Sequence, residues 1–362
     1  KMKAMFTPVT LGRHTLKNRF VMAPLTRTRA DDNNVPTAAM AQHYADRASA
    51  GLLIAEATQV DKDHNAFGYE PGIWNEDQIK AWKVVTDAVH AKGGLIYLQI
   101  HHAGRACPAV NSRTKTQPVS ASAIAIEGHK SGAYFCVDGK ENAYSVPRAL
   151  EDSEIPAVIA AFVQGAKNAI EAGFDGVEVH GANGYLLDQF WKESSNKREG
   201  PYGGSIENRC RFTLEVTAAV AEAIGSDRVG LRISPLNSFN AQIDSDPEAL
   251  TKALCVGLNE LNLAYLHVMR ADFFGVQKGD VVGWTKSVYK GTLVSNMGYT
   301  PEEGEAAIAD GVLDAVCFGH LFISNPDLVT RVEKGLPLAE GNQATYYGRS
   351  VEGYNDYPVA TA

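Results

Sequence analysis

An imidazole, an amide and a phenol stand close together in His180-Gly-Ala-Asn183-Gly-Tyr185, where an apolar run gives way to small residues. A His and an Asn three apart, on a turn leaving a strand, can both donate hydrogen bonds to one oxygen on which negative charge develops. Tyr185 brings a weak acid within reach of the same substrate. A capping Asn, a core His and a half-buried Tyr are the plain alternative, but the triple at one strand end favours chemistry. Arg232 lies inside Leu231-Arg-Ile-Ser-Pro235. A guanidinium there needs an anionic or carbonyl partner, either a ligand or a carboxylate such as Glu178 or Asp175. Gln99 closes Ile96-Tyr-Leu-Gln. Its amide offers donors and an acceptor to a ligand of mixed polarity, or is a satisfied strand-end amide. Two further runs end in Asn296-Met297-Gly298 and Phe318-Gly319-His320. Small residues there let backbone N–H groups approach a phosphate.

These groups need a scaffold that brings distant segments to one rim. Eight short apolar or β-branched runs provide it: Phe20–Leu25, Leu52–Ala57, Leu95–Ile100, Gly176–His180, Val229–Ile233, Tyr265–Met269, Thr292–Ser295 and Ala315–Phe318. Most are continuously apolar, as expected of strands covered on both faces. Helical patterns lie between them. Ile155, Val158, Ile159, Phe162, Val163, Ala166 and Ile170 share one helical face. Thr300-Pro-Glu-Glu303 reads as a capping box with Pro at the first helical position, and Asp246-Pro247 and Asn325-Pro326 repeat the cap-then-Pro pattern. Eight βα units predict one α/β domain over residues 2–362, a (β/α)8 TIM barrel, with the chemistry at the C-terminal strand ends. A loop or hairpin insertion over the barrel mouth is expected at residues 104–151, after strand three. That stretch is rich in Ser, Ala, Gly and Pro and carries Tyr134, Phe135 and Tyr144. GxGxxG occurs nowhere, which weakens the doubly wound alternative.

The chain has 362 residues, 45% of them hydrophobic, and a net charge of −8, which argues against a nucleic-acid or anionic-membrane surface. No run is long enough to span a membrane. The five cysteines form no CxxC pair, so no disulfide framework or metal cluster is expected, and a reducing, cytoplasmic setting fits. His14, His43, His64, His90, His129 and the His101-His102 pair show no metal-ligand spacing. Lys1, ahead of Met2, reads as a cloning remnant.

Met22-Ala-Pro-Leu-Thr-Arg27, Tyr44-Ala-Asp-Arg-Ala-Ser-Ala-Gly51, Gln99 with His102-Ala-Gly-Arg105, His180 to Phe190, Tyr202-Gly-Gly-Ser205, Leu231 to Pro235, Asn325-Pro-Asp-Leu328 and Gly353-Tyr-Asn-Asp-Tyr-Pro358 come in the order found in one family. Through them the chain resembles the old yellow enzymes along essentially its whole length, and most of all the kinetoplastid members, some of which are called prostaglandin F2α synthases. The resemblance implies FMN in the barrel mouth and NADPH as reductant, with NADH possible. It implies Thr26 at the flavin O4, Gln99 at the pyrimidine edge and Arg232 at N1 and O2, where an Arg stabilises the reduced ring. Backbone of Ala23, Pro24, Leu25, Ala57, Met297-Gly298 and Gly319-His320 would line the rest, with Tyr347 near the dimethylbenzene edge. His180 and Asn183 would hold a substrate carbonyl oxygen while Tyr185 protonates the alpha carbon. The implied substrates are small molecules: enones, quinones, nitro compounds or prostaglandin H2. The implied assembly is a monomer or homodimer.

The chain departs from the family at His320, often an Arg that binds the phosphate, and at Met297-Gly298, in place of a Gly-rich pair. His101 replaces a common Trp and Phe67 a Tyr, both at the substrate pocket. Two rivals are weighed. A relative with an appended iron–sulfur domain would need a cysteine cluster and a chain continuing past residue 362. A flavin-free barrel lyase or aldolase acting on phosphorylated substrates would need a Schiff-base lysine or metal ligands at strand ends, and neither is found.

Overall fold

The computed structural model describes residues 2–361; Lys1, read above as a cloning remnant, lies outside them. Eight parallel strands close on themselves: β1 (Phe20–Met22), β2 (Leu52–Gln59), β3 (Ile96–His101), β4 (Gly176–Gly181), β5 (Val229–Ile233), β6 (Tyr265–Met269), β7 (Leu293–Asn296) and β8 (Ala315–Phe318). This is the expected (β/α)8 barrel, and all eight expected runs are its strands. Two ends differ. β1 stops at Met22 because Ala23 donates the last bond, to Phe318 O at 3.0 Å, and Pro24 has no N–H to continue. β2 runs on to Gln59 through a bulge between Ala55 and Thr58 that re-aims Ala57.

Side chains alternate across each strand, so every second residue points into the barrel. At its lower end these are Val21, Ile54, Tyr97, Tyr265, Val294, Ala315 and Cys317. A hairpin of Val9–Leu11 and His14–Leu16, not anticipated from the sequence, adds Leu11 and Leu16 to this cluster as a floor. The Tyr97 and Tyr265 rings fit because glycines face them. A Cβ at Gly176 would come within 2.5 Å of the first ring, and one at Gly230 within 2.2 Å of the second. The outer faces pack on helices through Trp82, Phe162, Phe190, Trp191 and Phe212.

The expected helix forms at Ile155–Glu171. Its most deeply buried stripe is Ile155, Phe162, Ala166 and Ala169 with Gly165, while Val158, Ile159, Val163 and Ile170 are half-buried. Asp246 caps its helix through Ala249 N at 3.0 Å. Thr300 accepts from Glu303 N at 3.1 Å, but the box stays half-made, since the Glu303 carboxylate goes to Arg270 at 2.7 Å. Asn325 is not an N-cap. It closes the helix His320–Ser324, and its amide is taken by Leu321 O and Ala339 O.

Residues 104–151 form irregular coil with two-residue strands Val119–Ser120 and Arg148–Ala149. These pair in parallel, so the segment is a loop closed at its base and not a hairpin. Buried Arg105 ties it down through Ile124 O and Asn240 O, both at 3.0 Å. At the other end of the chain, Arg27 and Arg29 draw in the stretch after residue 345. Arg27 Nε donates to Tyr346 O and its other end to Gly353 O, each at 2.9 Å, and Arg29 reaches Tyr346 O at 2.8 Å. Among the described residues no helix is long and apolar enough to cross a membrane.

The glycine–tyrosine fit in the lower barrel is directly testable. Gly230→Ala should cost about 1–3 kcal/mol in urea melts, as overpacked cores do, because its Cβ would lie 2.2–2.5 Å from three atoms of the Tyr265 ring. An unchanged midpoint would show that the ring moves freely.

Candidate active site

At the C-terminal end of the strands lies a cavity of about 660 Å³. Nearly every residue singled out in the sequence lines it. Ala23, Pro24, Leu25 and Thr26 come from the stretch after β1, Ala57 from the β2 bulge and Gln99 from β3. His180, Asn183 and Tyr185 follow β4, and Arg232 projects from β5. Met297-Gly298 follow β7, Gly319-His320 follow β8, and Phe67 and Tyr347 come from loops. His101 is the exception. It is fully buried and stands behind the wall, edge-on to Tyr185 at 4.4 Å and 5.1 Å from the His180 ring. Phe135, expected in the loop over the mouth, and Asn296 and Phe318, named at the strand ends, line it too, while the sequence reading missed Phe239, Phe273 and Tyr299, together with Cys317 and Leu321. Of these, the aromatic rings sit in loops with no periodic pattern.

The inward alternation of β3 to β6 carries a polar layer above the tyrosines. Glu178 is completely buried at its centre. It accepts from Gln99 Nε2 at 2.8 Å, Tyr265 OH at 2.9 Å and His267 Nδ1 at 2.9 Å. His267 Nε2 meets the Asn296 amide at 3.1 Å. Burial alone would raise the Glu178 pKa, but His267 and then Arg232 outweigh it and hold the carboxyl below its ordinary value. Burial lowers the His267 pKa, while Glu178 and Asn296 act to raise it. The weighing of Arg232 thus resolves against a salt bridge. Asp175 is engaged by His90 at 2.8 Å, and neither Asp175 nor Glu178 is bonded to Arg232. Arg232 is buried and faces the cavity, and its Nε has no partner.

The two donors beside Tyr185 are oriented by their own neighbours. His180 Nδ1 accepts from Ala182 N at 3.3 Å, which leaves the proton on Nε2. Burial, then His101 and Arg232, push His180 well below its ordinary pKa, so the ring is neutral. Asn183 has φ +58, a left-handed conformation that Asn tolerates. Asn237 Oδ1 accepts from Phe273 N at 3.2 Å, so its Nδ2 donates to Asn183 Oδ1 at 2.9 Å. The Asn183 NH2 is thereby the free end. Burial, with Tyr144 and Glu70 nearby, pushes the Tyr185 phenol well up, so it stays protonated. Behind it, Glu70 Oε2 lies 3.8 Å from His101 Nε2. Burial raises the acid well above its usual range and drives the imidazole down to about 3, so the pair is neutral.

Asp61, His64 and His102 also come together at this end of the barrel, which their spacing in the sequence did not reveal. His102 Nδ1 accepts from Gly104 N at 3.0 Å, and its Nε2 lies 3.9 Å from the Asp61 carboxylate.

The family model for the NADH:flavin oxidoreductase / NADH oxidase family matches residues 4–339. The chain is 52% identical over 354 residues to a probable flavin mononucleotide-dependent alkene reductase of Leishmania infantum, covering 98% of this chain and 97% of that one. It is 42% identical over 377 residues to 12-oxophytodienoate reductase 7 of Oryza sativa subsp. japonica, covering 99% and 95%. Among solved structures it is similar to the old yellow enzyme from Trypanosoma cruzi, with a TM-score of 0.96, 50% identity and 99% coverage of each chain. It is also similar to morphinone reductase in complex with tetrahydroNAD, with a TM-score of 0.93, 42% identity and coverage of 99% and 98%.

Glu178 sits below its ordinary value of 4.5, so its contribution to stability is complete above that value and is lost as pH falls through the depressed one. Glu178→Gln should lower stability at neutral pH by about 1.5–3 kcal/mol, the worth of a hydrogen bond to a charged group. The gap between the two proteins should narrow in acid. Urea melts across the pH range check both, and a gap that widens in acid would contradict an ionised Glu178.

Proposed function

Because the chain belongs to the NADH:flavin oxidoreductase / NADH oxidase family, we propose that it is an FMN-dependent ene-reductase acting on alkenes conjugated to a carbonyl, with quinones and nitro compounds as further acceptors. The observation that carries this reading is Arg232: a buried guanidinium that faces the cavity, has an unpartnered Nε and is bonded to no carboxylate. Such a group is retained where a ligand supplies the missing acceptors. A flavin pyrimidine fits it, with Gln99 alongside. The Gln99 NH2 is held by Glu178 at 2.8 Å, so its carbonyl end is left for a ligand donor. At the far end Gly298 has φ +72 and open space where a Cβ would stand, as a backbone cradle for phosphate requires. Thr26, the backbone of Ala23, Pro24 and Leu25, Ala57 and Tyr347 complete the proposed holding set.

Bound there, FMN would supply hydride transfer between a nicotinamide donor, NADPH or NADH, and the alkene substrate. The chain's own residues do the rest. The His180 Nε2–H and the Asn183 NH2 grip the carbonyl oxygen and stabilise the charge that gathers on it. Both donors are neutral, so they do not hold an anionic product tightly. The Tyr185 OH delivers a proton to the α carbon. Phe67, Phe135, Phe239 and Phe273 exclude water from that end of the cavity and favour apolar substrates. A Schiff-base aldolase is disfavoured: among the described residues no lysine lines the cavity, and buried Lys192 is engaged by Asp188 and by Ser234 O at 3.0 Å.

The purified protein should be yellow and release FMN on denaturation. In stopped-flow, Tyr185→Phe should leave reduction by NADPH unchanged and slow turnover of an enone by about 10²–10⁴-fold, the usual worth of a positioned proton donor. Equal loss in both half-reactions would make Tyr185 structural.

A further inference from the structure

Within the proposed phosphate cradle, the side chain at the end of β8 is a poor cation. His320 has its pKa lowered by burial and by nearby Arg27. The neighbouring turn, after β7, is held from behind by Arg270, which follows β6. Arg270 Nε donates to Met297 O at 2.8 Å. Its guanidinium lies over the Tyr299 ring, 3.6 Å from the centroid, and reaches Glu303 at 2.7 Å. The residue it grips is the strained one: Met297 has φ +94, a conformation that a non-glycine residue rarely adopts. Met297, Gly298 and Tyr299 line the cavity and Arg270 does not. Glu303 leaves its capping box unfinished to make this contact.

We propose that Arg270 is the positioning residue of the phosphate site: it holds the Met297–Gly298 turn with its N–H groups toward the cavity and lends the phosphate a positive charge that His320 does not provide. The proposal rests on the FMN reading. Glu303 faces Arg270 and offsets part of its charge, while Arg27, buried behind the stretch after β1, stands near His320 on the adjoining side.

Riboflavin, which lacks the phosphate, separates this role from a merely structural one. Apoprotein prepared from the holoenzyme is titrated with FMN and with riboflavin, following flavin fluorescence. Arg270→Ala should weaken FMN by about tenfold or more and leave riboflavin within about twofold, as loss of a charge-assisted contact to the phosphate alone requires. Arg270→Lys should fall between, keeping the charge and losing the bond to Met297. Glu303→Gln should tighten FMN and not riboflavin, because the offsetting charge is gone. Equal weakening of both flavins by Arg270→Ala, no weakening of either, or looser FMN in Glu303→Gln would overturn the assignment. Wild-type apoprotein that binds neither flavin would overturn the FMN reading itself and this proposal with it.

Discussion

A buried carboxylate governs the upper half of this barrel. Glu178 is out of reach of water and keeps its charge only because three side chains donate to it and a guanidinium stands nearby. Gln99 comes from β3, and Tyr265 and His267 both come from β6. Gln99 on β3 lies in register with Glu178 on β4, and Arg232 on β5 in register with His267 on β6. Satisfying this one anion thus orients Gln99, places His267 against Asn296 and keeps the charge of Arg232 balanced while its hydrogen-bonding groups stay free. A neutral residue at the centre would leave the guanidinium an isolated buried charge, which protein interiors do not tolerate.

A second layer of control is made of amides. Asn237 is oriented by a backbone N–H, Asn183 by Asn237, and only then is the Asn183 NH2 aimed. His180 is set by a backbone N–H two residues on. Both donors at the reacting end therefore depend on the main chain of loops after β4, β5 and β6. Loop conformation and donor direction are one property here, and the left-handed Asn183 sits at their junction.

The barrel was legible because strands covered on both faces leave uninterrupted apolar runs, and the cavity was legible because polar groups closed those runs. Glu178 was considered only as a possible salt-bridge partner and His267 not at all, since each is a single polar residue inside an apolar run. The every-second-residue series Tyr97, Gln99, His101 and Tyr265, His267 was the signal that would have found the layer. Asn325 was misread because capping patterns are local, whereas its amide is claimed by Ala339 O, distant in sequence. His101 points inward as supposed, but Tyr185 stands in front of it, and such occlusion is a tertiary fact. The aromatic rim at Phe239 and Phe273 comes from coil, where nothing repeats.

The clamp formed by Arg27 and Arg29 bears on biosynthesis. Arg27 is buried with Arg29 beside it, and both are satisfied chiefly by carbonyl oxygens of residues 345–353. Those oxygens emerge from the ribosome more than three hundred residues after the arginines that need them. β1, which leads into the same segment, has to wait for β8 to complete its pairing. A nascent chain can assemble the middle strands and their helices as they appear, but it carries an open sheet edge until β8 is made and two unsheltered cations until residues 345–353 are made. A chain cut short before residue 345 keeps the unsatisfied arginines permanently, and one cut short before β8 keeps the open sheet edge as well.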